Sequence, residues 1–596
     1  MTDALHETAP SDPRAIRRAT IIRLATGLAQ GLLLYGLWRA DQSKVWPATQ
    51  RELYGALLMV VLFTPFVVQA GVLALRWRTL VAWKGVAALV AAGLGAYGVW
   101  SGDPAARGVD ALGPQTFFAI AALVFIGHHL VQPADLERRR IARYEAYFDV
   151  TWKHGVQGAL SLGFTGAFWL LLFLAAALFK LIGVDAIDKL IKHEAFAFPA
   201  TTVMFAAAVQ LTDVRANLVR GVRTVALTLL AWLLPLMALI AAAFLLTLPF
   251  TGLEPLWKTK SATAILLVAD AFLILLANAA YQDGTETTAA VLRWAARLAG
   301  VLLVPITVLA AYGLSLRIGQ YGLSPDRILA AACVLVAAGY AVGYAVAAVR
   351  PGAWMKALEI TNIAMAFVVI AVLLALCTPV ADPRRLSVGD QMARLHAGKV
   401  KPEKFDYEAL RFDGGRYGRE ALRKLTSHRD PAIAKRADAV LKLEGRKWGA
   451  DPLRTLEGHV QVYPKGTVLP PEFLHKSDWA GAPYAPPDCL YADNGCDAFL
   501  VDLDGDAVPE ILLSGVSRSF MEIYRKAGDG DWSRVGTAKS LTCPKAVDLT
   551  KPPELVERTI KDLIIGNDRW EITVDGPVGR ASCLDVPLEA TAVKVP

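Results

Sequence analysis

Charged residues are scarce in this chain. Of its 596 residues, 19% are charged and 55% are hydrophobic, whereas globular proteins average about 25% charged and 45–50% apolar residues. This composition excludes a wholly soluble globular protein and indicates membrane-spanning segments. The net charge is +8, but the basic residues lie mainly beside apolar runs, as they do in membrane proteins. We therefore predict no nucleic-acid partner.

Catalytic motifs are missing as well. The chain contains no G-x-S-x-G nucleophile elbow, no H-E-x-x-H zinc motif and no Walker loop. Each of these motifs supplies a nucleophile, a metal ligand set or a phosphate cradle at a defined spacing. Without such a constellation the sequence favours a protein that is not an enzyme.

Cysteines are few and unevenly placed. Cys333 and Cys377 lie inside apolar runs, where cysteine behaves as a small hydrophobic residue. The other four follow the last apolar run and are Cys489, Cys496, Cys543 and Cys583. They lack the C-x2-C pairs of zinc sites and favour two disulfides in an oxidising compartment. Cys489–Cys496 with Cys543–Cys583 is the preferred pairing, although three connectivities are open.

Long apolar runs recur up to residue 380 and not beyond it. A helix of about 20 residues crosses the ~30 Å hydrocarbon core of a bilayer. This rule predicts eleven spans, which are 21–38, 53–75, 80–100, 115–131, 156–180, 197–213, 224–249, 261–280, 298–316, 328–349 and 361–380. The weakest is 197–213, because it is short and ends in polar residues; if it were re-entrant, the tail would change sides.

The predicted fold class is an all-α membrane domain of about eleven transmembrane helices, followed by an exported α+β tail. We divide the chain into a cytoplasmic arm (1–20), a polytopic domain (21–380), a helical segment (381–454) and a small, disulfide-braced, β-rich domain (455–596). In the helical segment, Asp430-Pro431 is a helix start signal, with Asp as the N-cap and Pro at the first position. After residue 455, short alternating segments separated by turn residues predict strands.

Basic residues predict the orientation. With the amino terminus in the cytoplasm, the cytoplasmic segments carry about 18 Lys and Arg residues, against roughly 11 in the opposite loops. This is the sign of the positive-inside bias. An odd number of spans then exports the tail, which agrees with the cysteines found there. The lipid bilayer is therefore the first predicted partner.

Four polar residues inside the spans are candidate functional residues: Asp270, Asn278, His128 and His129. An ionisable residue within a span is a functional hypothesis by default. A proton or ion relay would place the carboxylate and imidazoles along one cavity. In the alternative, Asp270 is neutral or paired and only holds helices together. Adjacent histidines cannot both face one direction on a helix, which argues against a paired ligand there.

An acidic loop in the tail is the strongest chemical motif. Asp502, Asp504, Asp506 and Glu510 occupy positions 1, 3, 5 and 9 of a loop between two apolar segments. Such carboxylates can converge on Ca²⁺, so the sequence predicts a structural calcium ion. The loop resembles the calcium loops of FG-GAP and VCBS-type β repeats, but Ala507 stands where glycine is usual. In the alternative, the carboxylates only cap backbone amides in an acidic turn.

Three segments resemble a known family. They are YFDVTWKHGVQGALSLGF (147–164), GLEPLWKTKSATAILLVADAFLILLANAAYQDG (252–284) and LRFDGGRYGREAL (410–422). They are similar to the bacterial membrane-protein family called domain of unknown function 4153. The resemblance implies a multi-pass inner-membrane protein of a Gram-negative bacterium, in which the exported tail is periplasmic. It implies no activity and no catalytic residues.

Three functions are open from these observations. The first is a non-enzymatic inner-membrane protein that presents its periplasmic domain to an envelope protein, in assembly, as a scaffold or in sensing. The second is a transporter or channel that uses Asp270. The third is a lipid-linked sugar transferase, but such enzymes generally carry acidic residues in a sizeable first periplasmic loop. Here that loop, 39–52, is short and offers only Asp41 and Glu52.

Overall fold

The computed structural model forms two compact units. Its described residues are 12–106, 108, 112–214, 216–259, 261–284, 288–351, 353–443, 446, 456–463, 465–476, 496–503, 505–514, 520–526, 531–539, 563–565 and 568–570. The first unit comprises Met1–Val400 and Phe412–Ala421, and the second comprises Lys401–Arg411 and Leu422–Pro596.

Long helices build the first unit. In chain order they are α1 (Pro13–Gln42), α2 (Arg51–Gly71), α3 (Trp77–Ser101), α4 (Pro114–Glu137), α5 (Tyr144–Leu181), α6 (Ala186–Lys192), α7 (Glu194–Val214), α8 (Ala216–Thr251), α9 (Glu254–Lys258), α10 (Ala262–Tyr281), α11 (Ala290–Tyr321), α12 (Pro325–Val349), α13 (Ala357–Leu376) and α14 (Pro383–His396). Among the described residues, eleven helices are long and apolar enough to cross a membrane, namely all of these except α6, α9 and α14. The predicted number of spans is confirmed, and the weakest predicted segment, 197–213, lies within the 21-residue helix α7.

Several helices start with a capping side chain followed by proline. Asp12 Oδ1 accepts a hydrogen bond from the Arg14 N–H at 2.9 Å at the start of α1, and Asp382 Oδ1 accepts one from the Arg384 N–H at 2.7 Å at the start of α14. The capping oxygen satisfies an amide that has no partner in the first helical turn, and proline there loses no intrahelical bond.

Two apolar cores lie inside the first unit. The N-terminal core packs α2, α3 and α4 through residues such as Phe63 and Ile120. The C-terminal core packs α8, α10, α11 and α12 through residues such as Leu234, Leu273 and Leu303. Helix α13 contacts both, with its first turn in the C-terminal core and its last turns against the N-terminal core. Many leucine and phenylalanine side chains point outwards from these helices, as expected for contact with lipid.

Small residues let neighbouring helices approach closely. A Cβ atom added to Gly27 of α1 would lie 2.8 Å from Thr202 O of α7, and one added to Gly95 of α3 would lie 2.6 Å from Gly55 O of α2. Real Cβ contacts are not that short, so only glycine permits these two crossings.

Residues 412–421 belong to the first unit because they contact the end of α3. They open helix α16, whose bounds are given below. The Arg419 guanidinium pairs with Asp103 at 2.8 Å, and the hydroxyls of Tyr417 and Tyr97 lie 3.1 Å apart. Tyr97 Oη also donates to Asp382 Oδ2 at 2.6 Å.

The second unit contains short helices and a small sheet. The helices that lie in it wholly or in part are α15 (Tyr407–Phe412), α16 (Gly415–Leu425), α17 (Pro431–Leu441) and α18 (Pro471–Leu474), and a 3-10 turn spans Pro402–Lys404. The strands are β1 (Val460–Tyr463), β2 (Cys496–Val501), β3 (Glu510–Ser514), β4 (Phe520–Lys526), β5 (Trp532–Lys539), β6 (Leu563–Ile565) and β7 (Asp568–Trp570). The predicted start of α17 is confirmed, since Asp430 Oδ1 accepts a hydrogen bond from the Ala432 N–H at 2.8 Å.

Five strands of the second unit form one sheet in the order β1-β2-β3-β4-β5, and β6 pairs with β7. Strand β1 is parallel to β2, and the strands from β2 to β5 form an antiparallel meander. Phe473 of α18 packs on one face of the sheet beside Ile511, Tyr524 and Trp532. The acidic loop is the connection between β2 and β3.

Candidate functional site

Asp270 is buried in the C-terminal core, with 1% of its surface exposed. Its Oδ2 accepts a hydrogen bond from Thr307 Oγ1 of α11 at 2.8 Å. Its Oδ1 has no hydrogen-bond partner, and none of the described residues forms an ion pair with the carboxyl group. The geometry is that of a contact between two helices, and a relay through Asp270 stays a prediction.

Asn278 belongs to a closed ring of hydrogen bonds. Asn362 Nδ2 donates to Asn278 Oδ1 at 2.6 Å, Asn278 Nδ2 donates to Tyr344 Oη at 2.6 Å, and Tyr344 Oη donates to Asn362 Oδ1 at 2.9 Å. Tyr144 Oη joins the ring by donating to Asn278 Oδ1 at 3.3 Å. The ring therefore ties α5, α10, α12 and α13 together, and its amides find partners inside the protein.

An open pocket of about 360 Å³ lies beside this ring, between α4, α5, α10, α12 and α13. Its lining is mostly apolar and aromatic and includes Tyr147, Phe148, Trp152 and Tyr340. Asn278, Asn362 and His129 supply polar groups to the same pocket. The structure thus brings two of the four predicted intramembrane residues, His129 and Asn278, to one pocket. Asp270 does not line it.

His128 and His129 meet a third histidine that sequence reasoning did not single out. His154 of α5 lies beside both of them, and the centroid of its ring is 5.6 Å from that of His128 and 5.1 Å from that of His129. His154 Nδ1 and His129 Nε2 are 3.0 Å apart, and His129 Nδ1 donates to Phe125 O at 2.6 Å. Because a carbonyl only accepts, His129 carries its proton on Nδ1 and accepts from His154.

His128 has its own partners. Trp83 Nε1 donates to His128 Nδ1 at 3.2 Å, so His128 Nε2 carries the proton and donates to Gln132 Oε1 at 2.9 Å. His128 and His129 thus accept hydrogen bonds from different donors, Trp83 and His154. Over the described ranges, no group of three His, Cys, Asp or Glu side chains could hold a metal ion.

Arg23 forms a second polar cluster that the sequence analysis missed. Its guanidinium donates to Gln69 O at 2.8 Å, to Gln210 Oε1 at 2.6 Å and to Asp213 Oδ2 at 2.7 Å. Lys153 Nζ lies 3.4 Å from the other oxygen of Asp213. Arg23 therefore connects α1, α2 and α7, and Lys153 adds α5.

A signal for this cluster was present in the sequence. Arg23 is a cation inside a predicted span, and Asp213 is the anion that ends another. A buried charge in a membrane needs a partner, so the two opposite charges near span ends could have been matched. The choice among candidate anions still required the packing of α1 against α7.

The acidic loop caps its own backbone. Asp502 accepts hydrogen bonds from the Gly505 N–H at 2.8 Å and the Ala507 N–H at 2.9 Å, and Asp506 accepts one from the Val508 N–H at 2.7 Å. Ala507 has φ = +66°, the left-handed conformation for which glycine is favoured. These are the contacts of the capping alternative, and each carboxylate keeps lone pairs that can bind a cation.

Glu510 is already paired within the protein. Its side chain is 1% exposed, with Oε2 accepting from the Leu503 N–H at 2.9 Å and Oε1 from Arg525 Nε at 2.6 Å. Burial by itself would raise the pKa of Glu510, but these two donors hold it below its ordinary value of 4.5. Glu510 therefore fits poorly as a calcium ligand. Asp504 lies outside the described residues, so calcium binding by the aspartates stays a prediction.

Three of the six cysteines lie among the described residues. Cys333 of α12 and Cys377 at the end of α13 are free thiols. Cys496 is buried at the start of β2. Cys489, Cys543 and Cys583 lie outside the described residues, and the two disulfides stay predictions.

Comparison with known proteins identifies a family. No curated protein and no solved structure matches the chain. The family model described as Domain of unknown function (DUF4153) matches residues 25–425. This range contains the aromatic pocket and the three histidines, and it ends before the acidic loop. The match spans more than half of the chain, and we conclude that the chain belongs to the DUF4153 family.

Proposed function

We propose that the protein is a non-enzymatic inner-membrane protein with a cytoplasmic amino terminus that presents its C-terminal part in the periplasm, in envelope assembly, as a scaffold or in sensing. The odd number of candidate spans carries the proposal, since eleven crossings leave the two ends of the chain on opposite sides of a bilayer. The excess of Lys and Arg in the segments that this orientation places in the cytoplasm, about 18 against roughly 11, supports the orientation. Four cysteines in the tail support an oxidising compartment.

Reporter fusions test the orientation. Alkaline phosphatase becomes active only after export, whereas green fluorescent protein fluoresces when it folds in the cytoplasm. We expect phosphatase activity without fluorescence for fusions after Pro596, and the reverse for fusions after Arg140, between α4 and α5. Fluorescence after Pro596 would reject the proposal.

Site-specific photocrosslinking in growing cells tests the presentation of the domain to a partner. Val535 is exposed on β5, whereas Trp532 on the same strand is buried. A photoreactive phenylalanine analogue at Val535 should give discrete adducts with an envelope protein, and the same analogue at Trp532 should not. Exposed positions that give no adduct, with Val468 as a further site, would contradict a scaffold role.

A transporter that uses Asp270 is the alternative with least support from the contacts. A transport path usually needs several polar partners, and the partner seen for Asp270 within the described chain is Thr307. We expect Asp270→Asn to insert and accumulate as the wild type does, because the amide oxygen can accept the same hydrogen bond. If this variant accumulates normally but behaves like a deletion strain, a transport role is favoured instead.

A lipid-linked sugar transferase is the third alternative. Of the two acidic residues in its expected catalytic loop, Glu52 lies 3.9 Å from the Arg416 guanidinium. Both side chains are partly exposed, so this contact contributes little, and the short length of loop 39–52 is what favours the non-enzymatic proposal over a transferase.

A structural calcium ion is a further part of this proposal. Asp502, Asp504 and Asp506 would hold it, and the ion would cross-link the turn between β2 and β3. Calcium should raise the melting temperature of the full-length protein relative to a chelator, and Asp502→Asn should remove the difference. Identical melting curves with and without calcium would reject the ion.

A further inference from the structure

The aromatic pocket between α4, α5, α10, α12 and α13 has the position and chemistry of a lipid site. We propose that it binds one anionic phospholipid, with an acyl chain among the aromatic side chains and the phosphate on Arg138, Arg139 and Arg140.

The walls suit a hydrocarbon chain. The pocket volume of about 360 Å³ falls in the range of roughly 300–1,000 Å³ that holds small ligands. Phe125, Phe148, Trp152 and Ile363 present apolar surface to it. Phe125 and Ile363 lie inside predicted spans, and Phe148 and Trp152 precede the predicted span 156–180 by one to two helical turns. The pocket therefore lies near the ends of the spans, at the depth where the acyl chain of a lipid begins.

Two polar groups in the pocket have no partner among the described residues. The ring of Asn278, Asn362 and the two tyrosines is satisfied internally. The hydroxyl of Tyr340 and the indole N–H of Trp152 also belong to pocket residues, and neither forms a hydrogen bond to any described residue. Donors of this kind usually find an acceptor when they are removed from water. The ester carbonyl of a phospholipid is an acceptor at the depth where an acyl chain begins.

The arginines lie close to the pocket in the chain, shortly before the α5 residues that line it. They form the turn between α4 and α5, and Tyr147, which lines the pocket, holds this turn by accepting a hydrogen bond from the Ala142 N–H at 2.9 Å. Arg138, Arg139 and Arg140 are exposed and form no ion pair with described residues.

Neighbouring basic residues differ in this respect. Arg143 pairs with Glu137 at 3.0 Å, and Arg76 pairs with Asp135. Three guanidinium groups without an ion-pair partner in the described part of the chain lie at the end of membrane helices. They match a phosphate diester, because guanidinium binds phosphate oxygens through paired N–H donors. A zwitterionic lipid gains less electrostatic binding free energy, since the arginines repel its own ammonium group. Charge complementarity therefore selects an anionic lipid.

Native mass spectrometry of the full-length protein in detergent measures this binding. Dioleoyl phosphatidylglycerol and dioleoyl phosphatidylcholine serve as probes in parallel titrations. We expect one phosphatidylglycerol molecule to bind with a preference of about tenfold or more over phosphatidylcholine, as several basic groups beside one anionic head group would give. Equal affinities for the two lipids would overturn the proposal.

Two triple variants separate a site from general charge attraction. Arg138, Arg139 and Arg140 are changed together to glutamine in the first. The control changes Arg14, Arg17 and Arg18, which are exposed near the start of α1, and removes the same charge at the same end of the bundle. Only the first variant should lose the preference for phosphatidylglycerol. Equal losses in both would show diffuse attraction and reject the site.

Two further pairs test the pocket itself. Ala366→Phe fills the pocket and should abolish the one-to-one complex, whereas Ala364→Phe, on the exposed side of the same helix, should keep it.

Tyr340→Phe removes one hydrogen-bond donor without changing the shape of the side chain, and should weaken lipid binding about fivefold, as the loss of one hydrogen bond does. Tyr312→Phe, on exposed surface, should leave it unchanged. If both members of each pair bind the lipid with the same affinity, the pocket is not the binding site. The comparison of Tyr340→Phe with Tyr312→Phe decides this even if Ala366→Phe does not fold.

Discussion

Arg23 brings a charge into the interior of an apolar bundle. Its side chain is 1% exposed, and each of its three donor positions has an oxygen partner. A buried charge without partners costs several kcal/mol, and pairing offsets that cost. The contacts of Arg23 therefore make the register of α1 against α2 and α7 specific, because any shift would separate the guanidinium from Asp213.

Arg23→Gln should lower the free energy of unfolding by roughly 3 kcal/mol, the usual cost of removing one partner from a buried ion pair. The measurement is thermal stability of the purified protein in detergent. Arg14→Gln, at the exposed start of the same helix, is the control, and its melting temperature should stay close to that of the wild type. Adding Asp213→Asn to Arg23→Gln should recover part of the loss, since the carboxylate that has lost its guanidinium partner and keeps the Lys153 contact at 3.4 Å is then neutral. A double variant as unstable as the sum of the singles would contradict the ion-pair argument.

Glu510 predicts a pH dependence in the sheet of the second unit. The pKa of Glu510 is below its ordinary value of 4.5 in the folded protein. The ionised form therefore stabilises the fold. This contribution is fully present above pH 4.5 and is lost as the pH falls through the lower, folded-state pKa.

Hydrogen–deuterium exchange of peptides from 496–539 measures this effect. Comparison of the wild type with Glu510→Gln at the same pH cancels the intrinsic exchange rate. We expect the wild type to be better protected at neutral pH, because the glutamine loses the ion pair with Arg525. The difference should shrink on acidification, and a difference that grows instead would show that Glu510 does not act through its charge.

Helix α1 packs against α7 through glycine. A Cβ atom added to Gly31 would lie 2.8 Å from Pro199 N and even closer to Pro199 Cα. The obstacle is backbone, which cannot rotate away as a side chain can. By contrast, Gly36 on the same helix has no atom within 4 Å of an added Cβ.

Gly31→Val should therefore destabilise the first unit by about 1–3 kcal/mol or more, the usual cost of overpacking. Gly36→Val is the matched control, with the same substitution on the same helix, and should change stability little. Both are read as melting temperatures and as the fraction of monodisperse protein in detergent. Two equal shifts would mean that valine harms α1 through helix propensity rather than through its contact with α7.

The helices show what local sequence can and cannot predict. Eleven spans were predicted from run length alone, and eleven candidate spans are found among the described residues, because hydrocarbon thickness determines how long an apolar helix must be. The contacts between them were not predicted. Tyr144, Tyr344 and Asn362 come from three helices, and nothing in their spacing along the chain indicates that they share hydrogen bonds with Asn278.

The distribution of cysteines predicts a chemical difference between the two ends of the chain. Cys333 and Cys377 are free thiols on membrane helices. If the tail is exported, its four cysteines should be oxidised in protein taken from native membranes.

Alkylation under denaturing conditions, followed by mass spectrometry, distinguishes the two groups. We expect label on Cys333 and Cys377 without reduction, and on Cys489, Cys496, Cys543 and Cys583 only after reduction. Label on all six cysteines without reduction would place the tail in a reducing compartment and contradict the proposed orientation.

The sequence by itself determined that this chain has apolar helices long enough for a membrane and, over the described residues, that eleven of them are candidate spans. These properties depend only on composition within a stretch of about 20 residues. Tertiary structure alone decided that Asp270 faces Thr307, that His154 joins His128 and His129, and that Arg23 finds Asp213. Such partners lie 25 to 190 positions apart in the chain, and only helix packing brings their side chains within hydrogen-bonding distance.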